Sequence, residues 1–214
     1  MVLEIPLIIL TAYLLGSIPS AYIVGRLVKG VDMRELGDGR MGTNAIVRRL
    51  GIACGITVGF MDLGKGAGAV ILAQVLNAPL IVVLLAGLAV VAGHNWSIFM
   101  GFKGGQGLAP TFGALASLVF WQFFIGLGLP AILYFGLALL ALIYLFLRKA
   151  GVAAGIVLTA LPIAFWITGG SPLLIAFPLI LTIPMLVKHL LVVRAESVTG
   201  EDATQSDNPA AGKN

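Results

Sequence analysis

Charged residues are scarce in this chain of 214 residues: only 10% are Asp, Glu, Lys or Arg. Hydrophobic residues make up 59%, and the mean hydropathy of +1.07 lies far above that of soluble domains. A soluble fold of this size would leave too much apolar surface facing water, whereas a bilayer solvates such surface directly. The composition therefore predicts an integral membrane protein.

Cysteine and histidine are nearly absent. Cys54 is the only cysteine, so one chain forms neither an internal disulfide nor a multi-cysteine metal site, and its apolar neighbours favour packing over a nucleophilic role. The two histidines, His94 and His189, belong to no zinc-binding motif. No Gly-x-Ser-x-Gly sequence occurs, which disfavours covalent acyl-enzyme chemistry. We expect no metal, nucleotide or redox cofactor.

Long apolar stretches without charge predict an all-α, seven-helix membrane bundle. About 20 apolar residues are needed to cross the hydrocarbon core of a bilayer. Residues 1–194 are predicted to form this membrane domain, and the polar residues 195–214 to form a flexible cytoplasmic tail. The predicted helices lie near 4–25, 53–75, 79–99, 108–127, 130–147, 152–168 and 171–187.

The distribution of positive charge predicts the orientation of the bundle. When the seven spans are threaded alternately across the bilayer, every Lys and Arg except Lys65 falls on one side. The opposite connections, near 76–79, 128–130 and 168–171, contain neither residue. By the positive-inside rule the N-terminus lies outside and the C-terminus in the cytoplasm. No basic run is interleaved with aromatic residues, so we interpret the net charge of +4 as a membrane-orientation signal rather than a nucleic-acid-binding surface.

A cationic, glycine-rich loop follows the third predicted helix and predicts a phosphate site. Glycines expose backbone N–H groups to an anion, and a lysine adds a point charge. The loop lacks the Gly-Lys-Ser/Thr of a Walker motif, which disfavours ATP hydrolysis. The histidine at its start either serves the site as proton acceptor or phosphate ligand, or is a structural, hydrogen-bonded residue. The candidate residues are His94, Lys103, Gly104, Gly105, Gln106 and Gly107.

A second polar segment follows the first predicted helix. Its arginines can make planar, bidentate contacts to phosphate, although an ordinary positive-inside loop has the same composition. Ser17, two residues before Pro19, either satisfies a helix carbonyl released by the proline or lines the entrance to a site. The candidate residues of this segment are Ser17, Arg34, Arg40, Thr43, Asn44 and Arg48.

Asp62 and Lys65 are charged residues inside the second predicted helix. Three residues apart, they project from one helical face and partly neutralise each other. A structural ion pair explains them, but charges inside a membrane usually face a functional interior. We therefore include both among the candidate substrate-binding residues.

Together these motifs resemble the bacterial membrane glycerol-3-phosphate acyltransferases of the PlsY type, which use acyl phosphate as donor. The resemblance spans most of the chain and implies the same seven-helix, N-outside arrangement. The motifs that carry it are Gly16-Ser-Ile-Pro-Ser-Ala-Tyr, Asp32-x-Arg34, Gly-Thr-Asn44 with Arg48, Asp62-x-x-Lys-Gly66, and Gly93-His94 leading to Gly-Phe-Lys-Gly-Gly105.

The resemblance implies acyl transfer to the 1-hydroxyl of glycerol 3-phosphate, which gives lysophosphatidate and phosphate for phospholipid synthesis. The site would face the cytoplasm from a multi-pass protein of the cell membrane. In the arrangement that the resemblance implies, phosphate is bound by Lys103, the Gly104–Gly107 backbone, Arg48 and Asn44. His94 is the candidate proton acceptor, unless a phosphate oxygen of the donor takes the proton. His189 matches the C-terminal histidine of the family and is a further candidate for substrate binding.

The chain departs from the family pattern at several motifs. Gln106 stands where the family usually has a second lysine, for which Arg40 is a candidate replacement. Near the C-terminus, Val192 stands where an asparagine is usual. Two alternatives to an acyltransferase remain open at this point: a transporter, or a noncatalytic binding protein, for a phosphorylated metabolite.

Overall fold

The computed structural model describes residues 3–32, 43–124, 150–167 and 169–206, and helices dominate this part of the chain. The predicted all-α class is confirmed. In chain order the elements are α1 (Glu4–Ser17), α2 (Ser20–Lys29), α3 (Thr43–Leu50), α4 (Ile52–Val75), α5 (Leu80–Asn95), a 3₁₀ turn (Ile98–Met100), α6 (Leu108–Phe124), α7 (Ala150–Ile167) and α8 (Pro172–Ser206).

Four described segments are long and apolar enough to cross a membrane: Glu4–Lys29, Ile52–Val75, Leu80–Met100 and Pro172–Leu191. Two shorter apolar helices, Leu108–Trp121 and Ile156–Ile167, coincide with the fourth and sixth predicted spans. The fifth predicted span, near 130–147, lies outside the described residues. The count of seven therefore stays a prediction.

The first predicted helix is divided into α1 and α2 by a break at Ile18 and Pro19. Ile18 adopts ψ 120° and Pro19 ψ 78°, neither of which is helical. Proline lacks an N–H and disfavours the helical conformation in the residue before it. The helix is therefore interrupted at Pro19 rather than only kinked. The break places non-helical backbone inside an otherwise apolar span.

Helix α8 continues through residue 194 to Ser206, with Pro178 and Pro184 inside it. The division of the chain at residue 194 and the flexible tail stay predictions.

Helices α1 and α5 approach closely through reciprocal glycines. A side chain on Gly16 would meet the backbone carbonyl of Val90, and one on Gly93 would meet the carbonyl of Tyr13. Small residues let membrane helices bring their backbones together, which adds dispersion contacts where lipid supplies no hydrophobic driving force. This crossing brings the end of α1 against the end of α5.

Helices α4 and α6 cross in the same way, at the most extensive helix interface of the described chain. A side chain on Gly66 would meet the carbonyl of Pro110, and one on Gly113 would meet the carbonyl of Leu63. The crossing sets the polar residues of α4 beside the glycine-rich loop that precedes α6.

The apolar core lies among α1, α4, α5 and α6 and is completed by Phe165 of α7 and by Phe177 and Leu181 of α8. A smaller apolar cluster, which includes Ile46 and Cys54, packs α2 and α3 against the start of α4. Cys54 is free and buried there, in agreement with the predicted packing role.

Replacing Gly66 with alanine is expected to destabilise the protein, because the added methyl group collides with backbone that has no rotamer to change. Overpacking of this kind costs about 1–3 kcal/mol. Gly64, on the same helix, offers a matched control, because a methyl group added there would have no neighbour within 4 Å. Alanine at Gly64 should be neutral or stabilising by up to about 1 kcal/mol, through helix propensity. Thermal unfolding in detergent measures both, and equal midpoints would contradict the close crossing.

Candidate active site

A small cavity lies where the break between α1 and α2, the middle of α4, the end of α5 and the glycine-rich loop meet. Its volume is about 20 Å³, which is room for roughly one water molecule. Seven of the residues predicted from the sequence line it: Ser17, Asp62, Lys65, His94, Lys103, Gly104 and Gly105.

Asp62 and Lys65 form a buried ion pair in the wall of this cavity. The Nζ of Lys65 lies 2.9 Å from Oδ1 of Asp62, and the side chains of Lys65 and Asp62 are 6% and 5% exposed. The same carboxylate oxygen lies 3.7 Å from Nδ1 of His94. The predicted shared face of the two residues is confirmed, and the structure adds the histidine to it.

Two backbone carbonyls exposed by the helix break are satisfied by side chains from distant segments. Lys65 Nζ donates to the carbonyl oxygen of Ile18 at 2.8 Å and to Oγ of Ser20 at 3.4 Å. Ser97 Oγ donates to the carbonyl oxygen of Ser17 at 2.5 Å. Irregular backbone at membrane depth persists only where protein or water satisfies it. These bonds therefore stabilise the break.

The hydroxyl of Ser17 does not satisfy a helix carbonyl. Ser17 is fully buried, and its hydroxyl oxygen has no hydrogen-bond partner among the described residues. Buried hydroxyls are normally paired, so an unpaired one at a cavity wall is available to a ligand or a water molecule. Of the two interpretations of Ser17, the geometry favours a hydroxyl that lines the site.

The glycine-rich loop packs directly onto His94. A side chain on Gly105 would collide with Nε2 of the imidazole, and one on Gly104 with the carbonyl oxygen of His94. Gly107 adopts φ +78°, a conformation that favours glycine. Lys103 is exposed while lining the cavity, so its ammonium is accessible from outside. Absence of side chains thus lets the loop backbone close over the histidine.

Helix α8 is attached to the end of α5 by two polar contacts. Asn95 Nδ2 donates to the carbonyl oxygen of Pro184 at 3.1 Å, and Lys188 Nζ donates to the carbonyl oxygen of Asn95 at 2.8 Å. Lys188 Nζ also lies 5.8 Å from the ring centroid of Trp96. These contacts fix the residue that follows His94.

The family model described as glycerol-3-phosphate acyltransferase matches residues 6–195, nearly the whole chain. The chain belongs to this family. It is a membrane acyltransferase of phospholipid synthesis, and this assignment favours catalysis over the transporter alternative.

Three relatives illustrate the similarity. Glycerol-3-phosphate acyltransferase 2 of Moorella thermoacetica is 46% identical over 125 residues, which cover 56% of this chain and 64% of that protein. Glycerol-3-phosphate acyltransferase 1 of Dehalococcoides mccartyi is 46% identical over 162 residues and 74% of each chain. The glycerol-3-phosphate acyltransferase of Parasynechococcus marenigrum is 35% identical over 184 residues, 86% of this chain and 82% of that one.

Two solved structures share the fold. Both are crystal structures of PlsY, an integral membrane glycerol 3-phosphate acyltransferase, one in its glycerol 3-phosphate form and one in its lysophosphatidic acid form. The TM-scores are 0.69 and 0.62 at 26% and 25% identity, over 92% of this chain and 93% of each of those.

The remaining predicted site residues of the acyltransferase lie away from the cavity or outside the described part. Arg34 and Arg40 fall outside the described residues, and so do the side chains of Thr43 and Asn44 at the start of α3. The others have been placed, and none lines the cavity: Arg48, Gln106 and His189 are exposed, and Gly107 packs against Asn95. Their predicted contacts to substrate stay predictions.

Sequence reasoning did not select Ser97 or Lys188. Ser97 lies three residues after His94, inside the segment already chosen, and Pro19 indicated a broken helix that needs donors. Lys188 was interpreted only as an orienting charge. Among the described residues, no three His, Cys, Asp or Glu side chains lie close enough together to hold a metal ion.

Proposed function

We propose that this acyltransferase moves an acyl group from acyl phosphate to the 1-hydroxyl of glycerol 3-phosphate. A bond forms between the hydroxyl oxygen and the acyl carbon, the bond from that carbon to the phosphate oxygen breaks, and lysophosphatidate and phosphate leave. The observation that carries the proposal is the convergence of His94, exposed Lys103 and the Gly104–Gly105 backbone on one cavity. The ligand forms named for the two PlsY structures fit the acceptor and the product.

This donor explains why the site needs no nucleophilic side chain. An acyl phosphate is already activated, so the protein has to align two anionic substrates, offset their charge and accommodate one proton. Lys103 and the loop N–H groups offset the charge. His94, beside Asp62, accepts the hydroxyl proton or orients the hydroxyl while a donor phosphate oxygen accepts it.

The size of the cavity suggests how the acceptor binds. A cavity of about 20 Å³ has room for a small polar group such as a hydroxyl. In this proposal the acceptor hydroxyl enters between the unpaired hydroxyl of Ser17 and the imidazole of His94, both of which line the cavity. The phosphate group stays at the mouth, beside the ammonium of Lys103.

We further propose seven spans with the N-terminus outside, the C-terminus inside and the cavity open to the cytoplasm. The sequence places every lysine and arginine but Lys65 on one side, which supports this orientation. Helices α2 and α3, which follow the break, end in basic residues, as expected of segments on the cytoplasmic side. The acyl chain then lies among helices in the inner leaflet.

The direct test supplies the purified protein, in detergent or a lipid mesophase, with palmitoyl phosphate and glycerol 3-phosphate. We expect phosphate release and lysophosphatidate formation in equal amounts. Palmitoyl-coenzyme A in place of the phosphate donor is the control and should give no product. A folded protein that binds glycerol 3-phosphate but forms no lysophosphatidate would contradict the proposal.

A further inference from the structure

The ammonium of Lys65 is directed into the protein rather than toward a substrate. It donates to the Ile18 carbonyl oxygen at 2.8 Å and to Ser20 Oγ at 3.4 Å, and Asp62 Oδ1 lies 2.9 Å away as its counter-ion. The side chain is only 6% exposed. Although it lines the cavity, its hydrogen-bonding capacity is directed into the protein.

We propose that Lys65 and Asp62 are positioning residues, which hold the two sides of the active site in place and do not contact substrate. The inference rests on the proposed function, because it concerns how that site is assembled. It replaces the direct substrate contact that the sequence predicted for these two residues.

On one side of the cavity, Lys65 holds the helix break. The Ile18 carbonyl oxygen accepts from the backbone N–H of Ser20 at 3.0 Å and from Lys65. The neighbouring Ser17 carbonyl oxygen is held by Ser97. Loss of the ammonium would release one of these two side-chain restraints, and the backbone at the break would be free to move. We expect this movement to displace the hydroxyl of Ser17 from the cavity.

On the other side of the cavity, Asp62 lies beside His94. Its Oδ1 lies between Lys65 Nζ at 2.9 Å and His94 Nδ1 at 3.7 Å, while the opposite ring nitrogen abuts Gly105. The separation of 3.7 Å is too long for a hydrogen bond, so the carboxylate acts on the imidazole through its charge. The ion pair thus connects the helix break to the imidazole and, through it, to the glycine-rich loop.

A contribution to the stability of the fold alone would not require the charges of Asp62 and Lys65. Replacing a buried ion pair with neutral groups of similar size is often neutral or stabilising, whereas removing one partner leaves an uncompensated buried charge. The single variant Lys65→Met is therefore expected to fold poorly. The decisive variant is Asp62→Asn/Lys65→Met, which removes both charges together.

We expect the double variant to unfold within a few degrees of the parent protein but to lose about tenfold or more in kcat, with KM for glycerol 3-phosphate changed less than about threefold. Thr57→Val, an exposed change on the same helix, is the control and should leave kcat, KM and the unfolding midpoint unaltered. An unchanged kcat in the double variant would overturn the positioning role. A raised KM with unchanged kcat would instead indicate direct substrate contact, which also overturns it.

A second readout does not depend on turnover. The chain has two histidines, so the spectrum of protein labelled with ¹⁵N-histidine contains only two imidazoles, and His189→Gln assigns them. The double variant should shift the ring nitrogens of His94 and leave those of His189 in place. Unshifted His94 signals would refute the arrangement even in an active enzyme. An inactive parent protein with shifted signals would refute the proposed function while supporting the positioning of His94.

Discussion

Replacing His94 with alanine is expected to lower kcat by about 10²- to 10⁴-fold, the range by which a positioned general acid or base usually contributes. The imidazole is 11% exposed, lies 3.7 Å from Asp62 and is covered by Gly105. Alanine removes the proposed proton acceptor and also the surface on which the loop packs. Measurement of kcat and KM with palmitoyl phosphate and glycerol 3-phosphate tests the prediction.

His94→Gln separates the two roles of the histidine. Glutamine can orient a hydroxyl by hydrogen bonding but does not accept its proton at neutral pH. If His94 is the acceptor, the glutamine variant should be as slow as the alanine variant. Activity within about tenfold of the parent protein would instead assign the proton to a donor phosphate oxygen and orientation to His94. Alanine at His189, which is exposed and outside the cavity, should cost much less than alanine at His94.

The part of the site that could be predicted from the sequence is the part encoded by contiguous residues. His94, Lys103 and the following glycines stand in one short segment, and their composition indicates an anion site before any folding is known. Charged residues inside an apolar helix are equally conspicuous, because lipid exposure would be costly. The structure brings both groups to one cavity.

The part that could not be predicted depends on contacts between distant segments. The hydrogen bond from Ser97 to the Ser17 carbonyl oxygen spans 80 residues, and that from Lys65 to the Ile18 carbonyl oxygen spans 47. Pro19 indicated that carbonyls would be released, but it gave no information on which side chains would satisfy them. The sequence likewise did not indicate that the hydroxyl of Ser17 would be buried without a partner among the described residues.

Lys188 of helix α8 is another residue near the site that could not be predicted from the sequence. Leu181, Pro184 and Lys188 follow one another at helical spacing and lie on the face that packs against the bundle, whereas His189 is rotated about 100° away and exposed. Motif comparison selected the histidine. Nearly every residue around Lys188 is apolar, so the sequence of α8 shows no amphipathic stripe that singles out the lysine. Its position beside the end of α5 follows only from the folded structure.

Replacing Lys103 with alanine is expected to lower kcat/KM by roughly 10- to 100-fold, because a charge-assisted hydrogen bond contributes about 1.5–3 kcal/mol. Lys103 is exposed and lines the cavity, and the proposed phosphate group lies at the mouth of that cavity. Lys29→Ala, an exposed lysine at the end of α2 that does not line the cavity, is the matched control and should change kcat/KM little.

A lysine introduced at Gln106 gives a second test of the role of Lys103. Gln106, exposed on the same loop, stands where related enzymes usually have another lysine. Gln106→Lys in the Lys103→Ala background should recover part of the lost kcat/KM if the loop binds phosphate through its net charge, and the recovery should weaken with salt because exposed charges are screened. Undiminished activity of Lys103→Ala would eliminate the phosphate role. Equal losses of kcat/KM in Lys103→Ala and Lys29→Ala would show that general surface charge, and not the position of Lys103 at the cavity, causes the effect.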